Sequence, residues 1–140
     1  MARLVFSSLF DRHPKLQIIT HHMEAMIPFF EGRIKQGWGL EMGARTPASD
    51  EHLLPGKLKK SAGEYFRMSY AHTALSGSSS GLRCGLEVFG ESNVLFASDY
   101  PFDSKSGTYL VRETIRSIEE TGLSKEGTAV IYCGNLERLI

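Results

Sequence analysis

Hydrophobic and polar positions change period several times along the chain, and each change marks an element. Leu4, Val5, Leu9 and Phe10 recur at helical spacing over residues 2–12 and run into His13-Pro14, which predicts a helix ended by the proline. Leu16-Gln17-Ile18-Ile19-Thr20 is a short β-branched run between turn residues, the pattern of a buried strand. A helical pattern follows from Glu24 to Lys35, with Pro28 near its first turn, where a proline is tolerated. Residues 37–60 lose periodicity and gather glycine and proline, which predicts a long excursion with at most one helical turn. Order resumes at Tyr65-Phe66-Arg67-Met68-Ser69-Tyr70-Ala71, read as a second strand. Gly77-Ser78-Ser79-Ser80-Gly81 opens a helix to about Phe89, capped by Gly90. Val94-Leu95-Phe96-Ala97 is a third strand, closed by Ser98-Asp99-Tyr100-Pro101. Two helices finish the chain, one over 107–120 and one from an N-cap at Ser124, weakened by Gly127 and Gly134.

Helices alternating with short, fully apolar strands predict a parallel sheet covered by helices, hence an α/β fold. The 140 residues suit a single segment, 1–140, with one core. Sixteen basic residues balance sixteen acidic ones, which removes the usual electrostatic route to nucleic acid or an anionic membrane. No apolar run approaches the ~20 residues of a spanning helix. The opening MARLVFSSLFDRHPK is too short in its apolar stretch and too charged afterwards for a secretory signal. Cys84 and Cys133 form neither a disulfide framework nor a zinc-ligand spacing, so a cytoplasmic setting is expected. Both lie in predicted helices and read as small buried apolar residues.

In parallel α/β folds the loops converge at the carboxyl ends of the strands, and ligands bind there. The first strand exits into Thr20-His21-His22, the second into His72-Thr73 and the third into Ser98-Asp99. Imidazole and carboxylate are the ligand types used for zinc, manganese or iron, although a single such residue at a strand end is more often a cap or a turn residue. Strand alternation groups His22 with Thr20 and Ile18, and Asp99 with Ala97 and Leu95. His22 and Asp99 are then expected to face inward, and His21 outward toward the helices.

The segment Ile18-Ile19-Thr20-His21-His22-Met23, continuing through Ile27-Pro28-Phe29-Phe30-Glu31-Gly32-Arg33-Ile34, resembles the amidohydrolase-related metal enzymes. These are (β/α)8 barrels of the aminocarboxymuconate-semialdehyde decarboxylase and γ-resorcylate decarboxylase type. The likeness runs on through Tyr65-Phe66-Arg67, Thr73-Ala74-Leu75-Ser76-Gly77 and Cys84-Gly85-Leu86-Glu87-Val88-Phe89-Gly90. Its most specific piece is Val94-Leu95-Phe96-Ala97-Ser98-Asp99-Tyr100-Pro101-Phe102-Asp103, and it ends at Gly134-Asn135-Leu136-Glu137-Arg138-Leu139. The resemblance implies a C-terminal part of a TIM barrel, strands six to eight with their helices. It assigns Asp99 and His22 to the metal site: Asp99 as ligand of a catalytic divalent metal, and His22 beside it as acid or base toward substrate. Zinc is the metal expected first and manganese second. Phe102, next to the metal aspartate in sequence, is the substrate-pocket candidate. The implied activity is non-oxidative decarboxylation, or hydrolysis, of a small aromatic or unsaturated carboxylic acid.

The family's remaining ligands, an H-x-H or E-x-H pair at the first barrel strand and a histidine at the fifth, have no counterpart, because the chain begins at the helix before strand six. The lone chain is therefore expected to be incomplete, forming a homo-oligomer or associating with the missing barrel half. Glu24 stands where relatives usually have glycine and His72 where they commonly have aspartate. A catalytically silent α/β domain acting as an oligomerisation or interaction module is the alternative reading. The Ser/Gly stretch 76–81 lacks the lysine of a phosphate-binding loop and reads as a helix cap. Arg33 and Arg67 match a substrate carboxylate chemically, but their positions favour structural pairing. Trp38 reads as packing, and His13 and His52 sit in loop or turn contexts without an assigned role.

Overall fold

The computed structural model describes residues 1–37 and 58–140. The excursion expected over 37–60 lies almost wholly outside the described residues, and Trp38 and His52 lie outside with it. Three short strands, β1 (Ile19–Thr20), β2 (Tyr70–His72) and β3 (Val94–Leu95), form a parallel sheet in the order β1-β2-β3. Around it run α1 (Ala2–Phe6), α2 (Leu9–Arg12), α3 (Ile27–Gln36), α4 (Ala62–Phe66), α5 (Ser79–Phe89), α6 (Thr108–Glu119), α7 (Lys125–Ala129) and α8 (Asn135–Glu137). The α/β arrangement is the expected one. No helix among the described residues is long and apolar enough to cross a membrane.

Register decides which side chains meet. Thr20, Ala71 and Val94 are aligned across the three strands, while Ile19 aligns with Tyr70 and His72 with Leu95. Ala71 and Val94 are buried in the core beneath the helices, so Thr20 also lies on the helix side, and Ile19, Tyr70, His72 and Leu95 occupy the opposite face. The expected inward direction of Thr20 is therefore reversed. Past the ladder, Thr73 continues the pairing with its side chain: its hydroxyl donates to Ala97 O (2.9 Å) and accepts from Ala97 N (3.0 Å).

Two apolar clusters hold the layers together. Met23, Leu82, Val88, Phe89, Ile118 and Ile131 pack with Ala71 and Val94 on the sheet, and Val5, Phe6, Phe10, Ala62, Tyr65 and Phe66 form a second cluster. Ile27, at the start of α3, packs against both and joins them. Tyr65 and Phe66 were expected in a strand, but they belong to a helix. The reason is a capping box: Ser61 Oγ accepts from Glu64 N while the Glu64 carboxylate accepts from Ser61 N. The first predicted helix likewise divides into α1 and α2 at Ser8, which takes a left-handed conformation (φ 57°).

The C-terminal helix contains a π-helical turn over Val130–Gly134. Such a turn displaces the regular ladder, and Ile131 O here accepts from Phe96 N at 2.9 Å. Ile131 takes the buried side of the turn and leaves Cys133 exposed, against the expectation that both cysteines are buried; Cys84 is half-buried. Asn135, fully buried, then donates its amide to Glu91 O (2.7 Å) and Val94 O (2.6 Å), fastening α8 to the entry of β3.

β1 ends at Thr20, where the apolar run ends, but starts only at Ile19. His22, Met23, Glu24 and Ala25 all take positive φ, 50° to 58°, in a tight turn before α3. Each non-glycine residue in that region costs about 1 kcal/mol or more, so neighbouring contacts must hold the turn. Met23 is 2% exposed. It packs against Gly85 of α5, where a Cβ would stand only 2.7 Å from the Met23 sulfur. Glu24 is 6% exposed; its Oε1 accepts from Ser69 Oγ at 2.8 Å, and its Oε2 has no hydrogen-bond partner among the described residues. Burial pushes the Glu24 carboxyl up to about 7.

Asn135→Leu takes the side-chain donor from the buried Val94 carbonyl and the bond to Glu91 O with it, and is expected to destabilise the chain by about 2 kcal/mol, read as a lower urea midpoint. For Glu24 the folded pKa lies above the unfolded one. Its contribution to stability is therefore complete below pH 4.5 and lost as pH rises through about 7. Glu24→Gln does not titrate, so its stability relative to wild type should rise by about 3 kcal/mol between pH 4.5 and pH 8. A gap that stays constant with pH in urea titrations would refute the buried-carboxyl account.

Candidate active site

The tight turn after β1 and the exits of β2 and β3 bring three imidazoles and one carboxylate to the same end of the sheet. Ring centroids lie 4.8 Å apart for His21 and His72, 5.7 Å for His21 and His22, and 5.5 Å for His22 and His72. His22 Nδ1 is 3.6 Å from Asp99 Oδ2. His22 and Asp99 thus meet as expected, although by another route than strand alternation. The strand stops at Thr20, and the left-handed turn swings His22 toward Asp99, itself at φ 61°. His21 was expected to point outward into the helices; it is instead exposed beside His72.

Hydrogen bonds fix the tautomers. His22 Nδ1 lies 2.7 Å from Ala74 O, and a carbonyl can only accept, so Nδ1 carries the proton. The neutral ring then keeps its lone pair on Nε2, the nitrogen left for proton transfer or metal ligation. His72 is arranged the other way. Its Nδ1 accepts from His22 N (3.4 Å) and Ala74 N (3.3 Å), which places its proton on Nε2. Burial first, then the neighbouring His21 and His22, holds His72 below the usual imidazole range. While its Nδ1 accepts these bonds, His72 has no free lone pair to offer a metal. The Ala74 carbonyl, central to the arrangement, is a backbone group with no signature in side-chain identity.

Asp99 and the Nε2 of His22 are donors that suit a divalent cation. Among the described residues no group of three histidine, cysteine or acidic side chains is set to hold a metal ion. The chain therefore fits a metal as the supplier of part of a ligand set.

Phe102 lies in the loop after Asp99, its N–H donating to Asp99 O at 2.9 Å and its ring 84% exposed. Asp103 shapes that loop, its carboxylate accepting from the backbone N–H groups of Lys105, Gly107 and Leu110. An open apolar groove of about 390 Å³ starts at His22 and passes Met23, Met26, Phe29, Leu75 and Cys84. Arg67 is not mid-strand but follows α4, where it donates to Val88 O (2.9 Å) and pairs with Glu31 (2.9 Å). Ser78 caps α5 by accepting from Gly81 N, which bears out the capping reading of the Ser/Gly stretch.

The chain is 31% identical over 106 residues to a γ-resorcylate decarboxylase of Rhizobium sp. (strain MTP-10005), a match covering 73% of this chain and 29% of that protein. It superposes on the crystal structure of the 5-carboxyvanillate decarboxylase LigW from Sphingomonas paucimobilis with a TM-score of 0.76 and 30% identity, over 99% of this chain and 37% of that one. A dihydroxybenzoic acid decarboxylase from Polaromonas sp. JS666, crystallised with manganese and the inhibitor 2-nitroresorcinol, gives a TM-score of 0.74 at 26% identity, over 99% and 37%. The chain thus spans about three to four tenths of the length of the relatives it matches, and its three βα steps are a portion of their barrel. The amidohydrolase family model matches residues 1–140 throughout, and the chain belongs to the amidohydrolase family.

Proposed function

We propose that this chain supplies the Asp99–His22 side of the active site of a metal-dependent, non-oxidative decarboxylase acting on a hydroxylated aromatic acid. The observation that carries the reading is the pairing of His22 with Asp99, with the His22 proton held on Nδ1 by Ala74 O and Nε2 left to react. The decarboxylase relatives support the reaction class, and the manganese bound by one of them supports a divalent metal, with zinc as the alternative. The remaining ligands come from further strands that complete the barrel.

A divalent metal bound by Asp99 would neutralise charge on the substrate's carboxylate and adjacent oxygen. His22 acts on carbon. In its protonated form it delivers the Nε2 proton to the ring carbon that bears the carboxylate. The bond from that carbon to the carboxylate then breaks, its electron pair returns to the ring, and CO₂ leaves. Asp99 lies beside the imidazole, its Oδ2 3.6 Å from His22 Nδ1 on the side away from Nε2. Phe102, exposed in the loop after Asp99, is the aromatic surface offered to the substrate ring.

The test is CO₂ release from 2,6-dihydroxybenzoate and 5-carboxyvanillate by the intact protein with Mn²⁺ or Zn²⁺, alongside elemental analysis of its metal. Asp99→Asn is expected to lose both bound metal and turnover. His22→Asn is expected to lose about 10²–10⁴-fold in kcat. Full turnover in Asp99→Asn would overturn the assignment.

A further inference from the structure

His72 closes a ring of three hydrogen bonds that no element of secondary structure requires. Its Nδ1 accepts from the backbone N–H of His22 and from that of Ala74; the carbonyl of the same Ala74 accepts the proton of His22 Nδ1. One imidazole nitrogen therefore grips both the residue that carries the reactive ring and the residue that orients it. The grip is well placed. His72 is 6% exposed at the end of β2, held in register with Leu95. It reaches across to a turn whose backbone is left-handed at four successive residues and gains no help from strand pairing.

We infer that His72 is a positioning residue: it fixes the backbone of His22 against Ala74 and thereby sets the tautomer and aim of the His22 ring. This rests on the decarboxylase reading for its kinetic consequence, but its structural content is independent of any substrate. The requirement is for an acceptor at the Nδ1 position, not for an imidazole. Asparagine places its Oδ1 close to where Nδ1 stands, whereas glutamine places its acceptor one carbon further out, nearer Nε2.

That difference makes the test specific. In the intact protein labelled with ¹⁵N-histidine, the His22 ring signals are identified by their absence in His22→Asn. Wild type and His72→Asn are expected to show His22 with the proton on Nδ1. His72→Gln and His72→Phe are expected to show a mixture of tautomers. In turnover, His72→Asn should retain kcat, while His72→Gln and His72→Phe should lose about 100-fold in kcat with little change in KM, the cost of misplacing a reacting group by about 1 Å. A His22 ring that keeps its Nδ1 proton and its kcat in both His72→Gln and His72→Phe would overturn the inference. Absence of turnover in the wild-type protein would instead overturn the decarboxylase reading, and the ring-nitrogen signals would still decide the role of His72.

Discussion

The hydrogen bond between His22 Nδ1 and the Ala74 carbonyl is the interaction around which this cluster of side chains is arranged. It spans two neighbouring loops, and it gives direction to a ring whose two nitrogens are otherwise equivalent partners for a proton. Asp99 arrives from the third strand near the same nitrogen, so its charge acts on the ring without competing for Nε2. Everything around this bond serves to keep Ala74 and His22 in place. Thr73 is locked by both polar groups of Ala97, and His72 fills the corner between the loops.

The cost of that geometry is concentrated in the turn after β1. Four left-handed residues without a glycine are unfavourable by several kcal/mol taken together. The turn persists because it is fastened from below: Met23 is sunk against Gly85, and the Glu24 carboxyl lies against Ser69. Glycine at position 85 is dictated by space rather than by backbone conformation, since it sits within a regular helix. The same fastening leaves a poorly solvated carboxyl two residues along the chain from His22.

Much of this was legible in the residues themselves. Val94-Leu95 and the β-branched run ending at Thr20 announced strands, and α5 and α6 followed from their periodicity and from Ser78 and Gly90. The motif around Asp99 and the histidines after Thr20 singled out His22 and Asp99, which the fold brings within 3.6 Å of each other. Strand alternation failed at Thr20 because a two-residue strand leaves no room for it, and the direction of every later side chain is then set by the turn. Tyr65 and Phe66 look like strand residues in isolation; the Ser61–Glu64 capping box outweighs that preference, and its spacing was visible. The role of Ala74 was not visible, because a backbone carbonyl is common to every residue and only the fold selects this one.

The loop that carries Asp99 differs from the turn that carries His22 in how far along the chain its supports lie. Asp103 draws Lys105, Gly107 and Leu110 onto one carboxylate, all within a few residues. His22 relies on His72 and Ala74, some fifty residues away. Closing the first costs little chain entropy and is fast; closing the second waits on the sheet. The acidic arm of the site thus needs only its own loop to take shape. The imidazole arm takes shape only in a chain whose strands lie side by side.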